Sequence, residues 1–290
     1  MRWEGREGSE NVDDRRGSGG SRGAPVVGGG ILVLIIGAIM TYLSGGDPLG
    51  FLIQNAGQPG QQAAVDVDNG GPQGPRPDDR EKEFSSVILR DTEIVWAELY
   101  PKISGGKPYR PTTLVVYTGA DQTRGCGGAD ASVGPFYCPA DRSVYIDLSF
   151  FGELSEKFGA PGEFARAYVI AHEVGHHVQN ELNILLPTQR TQDNEKSVRL
   201  ELQADFLAGV WAYHAQKKFH SLEPDDIKSG LNAAKQVGDD TIMRNAGVRP
   251  VPERFTHGTS EQRMRWFALG MKTGDPRRMN EVFDLPYDQL

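Results

Sequence analysis

Two stretches of this 290-residue chain hold residue types that could do chemistry together. His172-Glu173-Val174-Gly175-His176 is an H-E-x-x-H pattern, and Glu201-Leu202-Gln203-Ala204-Asp205, 25 residues after His176, is an E-x-x-x-D pattern. Four residues along a helix amount to about 400° of rotation, so His172 and His176 would project from one face and could grip one divalent ion. Glu173 would lie about 100° around, a poor third ligand but well placed to take a proton from water at that ion. This is the donor set of a zinc-dependent hydrolase of amide bonds.

The third ligand decides the subclass. A histidine six residues after His176 would be the first choice, but that position is Leu182, and the glycine that goes with it is replaced by Gln179. A carboxylate from a second helix is the alternative. Glu201 would complete two imidazoles and one carboxylate, with the fourth position left to water, and Asp205 would accept the other ring N–H of His172. The neighbours Ala167, Val169, Ile170, Ala171, Val174 and Val178 are apolar. Ionisable groups in such company need partners, which argues against a solvated helix face.

These motifs need two helices to carry them. Apolar spacing predicts one over 161–182 and another over Asn194–Phe219. Further helices are expected at 84–99, 223–237 and 259–271, the last capped by Thr259 or Ser260. Strands are expected at Thr113–Tyr117 and 143–149, and the second, just before the first motif, is expected to edge the cleft and pair with an extended substrate. The expected fold class is α+β, a small sheet with a mainly helical C-terminal half. His177 reads as a packed neighbour, His214 and His220 as surface groups, and Asp239-Asp240 as a turn.

H-E-V-G-H-H-V-Q-N at 172–180, E-L-Q-A-D at 201–205, G-P-F-Y-C-P-A-D at 134–141 and F-T-H-G-T-S-E-Q-R at 255–263 together resemble one family. It is the bacterial neutral zinc metallopeptidases that carry a single N-terminal membrane anchor. The resemblance implies a zincin-like fold, a Zn²⁺ cofactor and hydrolysis of a peptide or protein substrate, with Glu173 as general base. Distantly similar membrane zinc peptidases carry a T-H motif after the glutamate ligand. By that likeness His257 or Arg263 would hydrogen-bond the oxyanion or the substrate backbone, unless the segment merely caps a helix. Relatives often carry cysteine where Phe206 and Met279 stand here. Two other readings of the zinc site are a membrane-tethered scaffold without catalysis and a hydrolase of a non-peptide amide. An intact Glu173 argues against the scaffold.

Residues 26–43 form an apolar run without a charge, long enough to cross a bilayer core. The 25 residues before it are too many for a cleaved signal peptide, so it reads as a transmembrane anchor of a bacterial inner membrane. Five arginines precede it (Arg2, Arg6, Arg15, Arg16 and Arg22) and the first basic residue after it is Arg76. The positive-inside rule then puts the N-terminus in the cytoplasm and the body outside, in the periplasm. Residues 1–25 read as a disordered tail, 44–80 as a flexible linker, and 81–290 as the catalytic domain. Cys126 and Cys138, the only two cysteines, have no further thiols for a four-thiolate site, and in an exported loop they favour a disulfide. A net charge of −8 without a basic stripe gives nucleic acid no purchase.

Overall fold

In the computed structural model, which describes residues 1–17, 75–185 and 193–290, the fold is α+β and mostly helical. Its long helices are α1 (Asp79–Leu99), α3 (Glu163–Glu181), α4 (Asn194–Phe219), α5 (Pro224–Gln236) and α7 (Ser260–Thr273). Shorter ones are α2 (Phe150–Glu156), α6 (Asp239–Asn245) and α8 (Glu281–Asp284). The strands are β1 (Val12–Asp14), β2 (Thr113–Tyr117), β3 (Ala120–Gln122), β4 (Gly128–Asp130), β5 (Phe136–Cys138) and β6 (Ser143–Asp147). The four-stranded sheet has the order β1-β2-β6-β5, with β1, β2 and β6 parallel and β5 antiparallel to β6. β3 and β4 form a separate two-stranded ribbon.

The apolar faces that foretold α3 and α4 are the faces they bury. Phe164, Ala167, Tyr168, Ala171, Val174 and Val178 of α3 share one core with Val198, Leu202, Phe206 and Val210 of α4. Gly175 lets the two axes come close: a Cβ there would lie 2.9 Å from the carbonyl oxygen of Ala204. α4 and α7 meet in the same manner, because a Cβ on Gly209 would lie 2.2 Å from the Phe267 carbonyl oxygen. Phe206 and Met279, where relatives often have cysteine, are both buried in this core. α7 starts as its sequence foretells, with the Thr259 side chain accepting from Gln262 N–H and Gln262 reaching back to the Thr259 N–H.

Three expectations need correction. β6 is not at the edge of the sheet, since β2 lies on one side and β5 on the other. Hydrogen-bonded on both sides, it has no free edge to offer a substrate, and among the described strands the antiparallel edge is β5.

The tail is the second correction. Residues 1–17 are ordered and belong to the domain. Trp3 is 2% exposed and packs edge-on against Phe84 of α1, and β1 lengthens the sheet beside β2. The charges that suggested disorder find fixed partners instead: Arg6 pairs with Asp91 of α1, and Arg16 with Asp14 beside it and with Asp78 and Asp79 of the body. Composition counts charges without seeing their partners. Third, His214 is half-buried and donates to the Gly274 carbonyl, because α4 runs on beneath the end of α7.

The apolar run at 26–43 lies outside the described residues, as do most of the expected linker and the last part of the tail. Among the described residues no helix is long and apolar enough to cross a membrane.

Candidate active site

α3 and α4 bring His172, His176 and Glu201 together, with one ligand atom from each lying within 4.8 Å of the others. His172 Nε2 is 3.1 Å from one Glu201 oxygen and His176 Nε2 is 3.4 Å from the other. Both imidazoles therefore present the same ring nitrogen to one point. That convergence of two nitrogens and a carboxylate suits a tetrahedral divalent ion with one position open.

The nitrogens facing away are held by fixed acceptors. His172 Nδ1 donates to Asp205 Oδ1 at 2.9 Å. His176 Nδ1 donates to Gln179 Oε1 at 2.8 Å. The Gln179 amide cannot flip without loss, because its NH₂ donates to the Leu200 carbonyl and to Gln203 Oε1. Each histidine is thus locked in the tautomer that leaves Nε2 free for a metal.

Asp205 is the hub of a buried network. Besides His172, it accepts from the Tyr168 hydroxyl at 2.5 Å and from Arg263 through Nε at 2.8 Å and Nη2 at 3.0 Å. Burial alone would raise its carboxyl, but the Arg263 guanidinium and His172 hold it below the ordinary value. Arg263 is itself buried, with Nη1 on the Val237 carbonyl. Of the donors by which Arg263 was expected to reach an oxyanion, Nε, Nη2 and one N–H of Nη1 are engaged by Asp205, Tyr168 and the Val237 carbonyl.

Glu173 is 8% exposed, and burial raises its carboxyl above the usual glutamate value although both histidines pull the other way. A carboxyl lifted in this way is a stronger base once ionised. Glu201 sits well below its ordinary value, since the charges of His176 and His257 outweigh its burial.

His257 lies near enough to Glu201 for each to shift the other. Its Nδ1 is 3.1 Å from Asp239 Oδ1, while Asp239 Oδ2 accepts the backbone N–H groups of Thr256, His257 and Gly258. Asp239 opens α6, so the carboxylate fixes both the ring and the loop that carries it. Burial lowers the His257 value, but Glu201 and Asp239 together raise it. The ring is a third exposed and so can still meet a ligand.

His177, next to a ligand, is fully buried; its Nε2 donates to the Arg110 carbonyl and its Nδ1 accepts from the Tyr137 hydroxyl of β5. Cys126 and Cys138 are joined, fastening the ribbon to the end of β5.

Sequence reasoning gave no site role to Asp239, Tyr168 or Gln179, and read Asp239 as part of a turn. Tyr168 is four residues before His172, and Gln179 three after His176, so helical spacing alone could have flagged both. Asp239, 18 residues from His257 and in another element, carried no such signal.

Comparison with known proteins now adds to the geometry. Residues 1–282 match the family described as "Putative neutral zinc metallopeptidase". The chain belongs to that family. It is 44% identical over 295 residues to an uncharacterized protein, YpfJ, of Escherichia coli (strain K12), covering 97% of this chain and 98% of that one. Another relative, the uncharacterized protein Rv2575 of Mycobacterium tuberculosis, is 44% identical over 196 residues, 63% of this chain and 64% of its own length. No solved structure matches the chain.

Proposed function

We propose that this protein is a membrane-associated zinc metallopeptidase with a zincin-like site, hydrolysing peptide bonds of a peptide or protein substrate. The observation that carries the reading is the convergence of His172 Nε2, His176 Nε2 and Glu201 beside a buried Glu173. The family's description points the same way. A zinc ion held by those three side chains would supply Lewis acidity towards the scissile carbonyl and towards a water.

The chain's own groups do the rest. Glu173 takes the proton from the attacking water and later delivers it to the leaving amine. His257, its ring oriented by Asp239 and its protonated form favoured by Asp239 and Glu201, donates a hydrogen bond to the oxygen on which charge develops. Asp205 and Gln179 keep both imidazoles aimed while this happens.

β5 is the strand proposed to receive an extended substrate. It is the antiparallel edge of the sheet, and Tyr137 ties it to α3 through His177 and Asn180. The disulfide at its end supports an oxidising compartment outside the cytoplasm as the place of work.

Digestion of a peptide library by the purified full-length protein tests the proposal. Cleavage blocked by a chelator, restored by zinc and lost by orders of magnitude in Glu173→Gln with zinc still bound is expected. Near-normal turnover in that variant overturns the general-base role, and no cleavage of any peptide overturns the peptidase reading.

A further inference from the structure

The N-terminal residues, expected on the far side of a membrane, are built into the same domain as the metal site. Trp3 is buried against Phe84, and its indole N–H donates to Glu163 Oε1 at 2.9 Å. Glu163 is the first residue of α3, the helix that carries His172 and His176. Arg80 of α1 reaches the same Glu163 oxygen at 3.1 Å and stacks on the Trp3 ring. Further along, Ser9 Oγ and Asn11 Nδ2 both donate to the buried Glu93 of α1, and β1 joins β2 in register from Val12↔Leu114 to Asp14↔Val116. Removing this segment would take a strand from the sheet and a large aromatic ring from the core. It would also strip two hydrogen bonds, from Met1 and Trp3, off Glu163 at the start of the metal helix.

The place where the segment ends is equally telling. The Arg16 guanidinium binds Asp14 beside it and Asp78 and Asp79 at the start of α1, at 2.8–2.9 Å. The end of the segment and the start of α1 thus meet at one spot. A single crossing between those points would separate them by a bilayer core about 30 Å thick, where the ion pair requires contact.

We propose that residues 1–17 and the peptidase domain lie on one side of the membrane as one folded unit. An odd number of membrane crossings between residues 17 and 75 is then ruled out. This replaces a cytoplasmic tail with an intramolecular clamp on α3, and it stands whether or not the site proves to be a peptidase.

The full chain in native membranes supplies the test. Gly8 lies against Ser86 of α1, where a Cβ on residue 8 would be 3.3 Å from Ser86 Cβ, close to the spacing that a disulfide spans. The double variant Gly8→Cys/Ser86→Cys should therefore oxidise, leaving no thiol for a maleimide–polyethylene glycol tag until it is reduced. Two taggable thiols under oxidising conditions would overturn the docked tail. In separate single variants, Glu7→Cys and Lys157→Cys replace exposed side chains of the tail and of the body. A membrane-impermeant maleimide applied to intact cells should treat the two alike, labelling both or neither. Labelling of one site without the other would sink the proposal. The native cysteines are paired with each other and add no background.

Discussion

Asp205 accepts four hydrogen bonds with none of its surface in water. Asparagine there would keep the shape but place an NH₂ where donors already point, and it would leave the Arg263 cation buried without a counter-charge. Asp205→Asn should weaken zinc binding by about 10–100-fold, read by competition with a chromophoric chelator; unchanged affinity would remove Asp205 from the support of His172. Proton traffic gives a second check on the same residues. Burial lowers the His172 value, but Asp205 and Glu201 more than compensate and push it up to about 10. His176 is raised as well, by Glu201. Below those values the metal-free rings carry an extra proton, and a metal needs them neutral. Zinc binding near pH 7 should therefore release at least one proton, and affinity should climb with pH by about tenfold per unit for each proton released. Calorimetry in buffers of different ionisation enthalpy counts those protons, and a count of zero would contradict the ring environments described.

At the scale of elements, the site depends on how closely two helices approach. Ala204 faces Gly175 across the α3–α4 contact, one position from Asp205 and one turn from Glu201. Gly175→Ala puts a methyl group 2.9 Å from a backbone oxygen that cannot swing aside, so the helices must part by a few tenths of an ångström. The expected cost is about 1–3 kcal/mol of stability, together with weaker zinc binding, since the histidines and Glu201 sit on opposite sides of the gap. Thermal melts with and without zinc should show a smaller zinc-induced rise in Tm than wild type; an equal rise would mean that the helices close around the metal regardless. α3 and α4 were legible because each repeats its apolar face over five or more turns, and the ligands ride on that repeat. β2 and β6 were legible as β-branched runs. By contrast, β1, β3, β4 and β5 span three residues each, too short for any period to register, and their pairing is decided by distant partners. This is why β6 was expected to be free to pair with a substrate. The Asp239–His257 contact escaped for the same reason, being made between two elements that only the folded chain brings together.

For the molecule as a whole, the tail is a determinant of stability that pH should expose. Asp91 of α1 is 1% exposed, and burial pushes its carboxyl up to about 6 even with Arg6 of the tail beside it. A carboxyl whose folded value is raised contributes most when protonated. Its contribution is complete below the unfolded value near 4 and is lost as pH rises through about 6. The full loss is about 3 kcal/mol. Arg6 opposes the rise, so Arg6→Gln should lift Asp91 further and deepen the cost at neutral pH. The guanidinium also lies over the Phe219 ring, 4.2 Å from its centroid, so part of its effect is packing that pH will not touch. Urea unfolding of wild type and Arg6→Gln between pH 4 and pH 8 separates the two contributions. The gap between the proteins should be small near pH 4, where Asp91 is neutral in both, and should widen above about pH 6 as only the wild type retains a counter-charge. A gap of constant size across that range would show that Arg6 holds the tail by contact with Phe219 alone, and that the Asp91 pair adds nothing to docking.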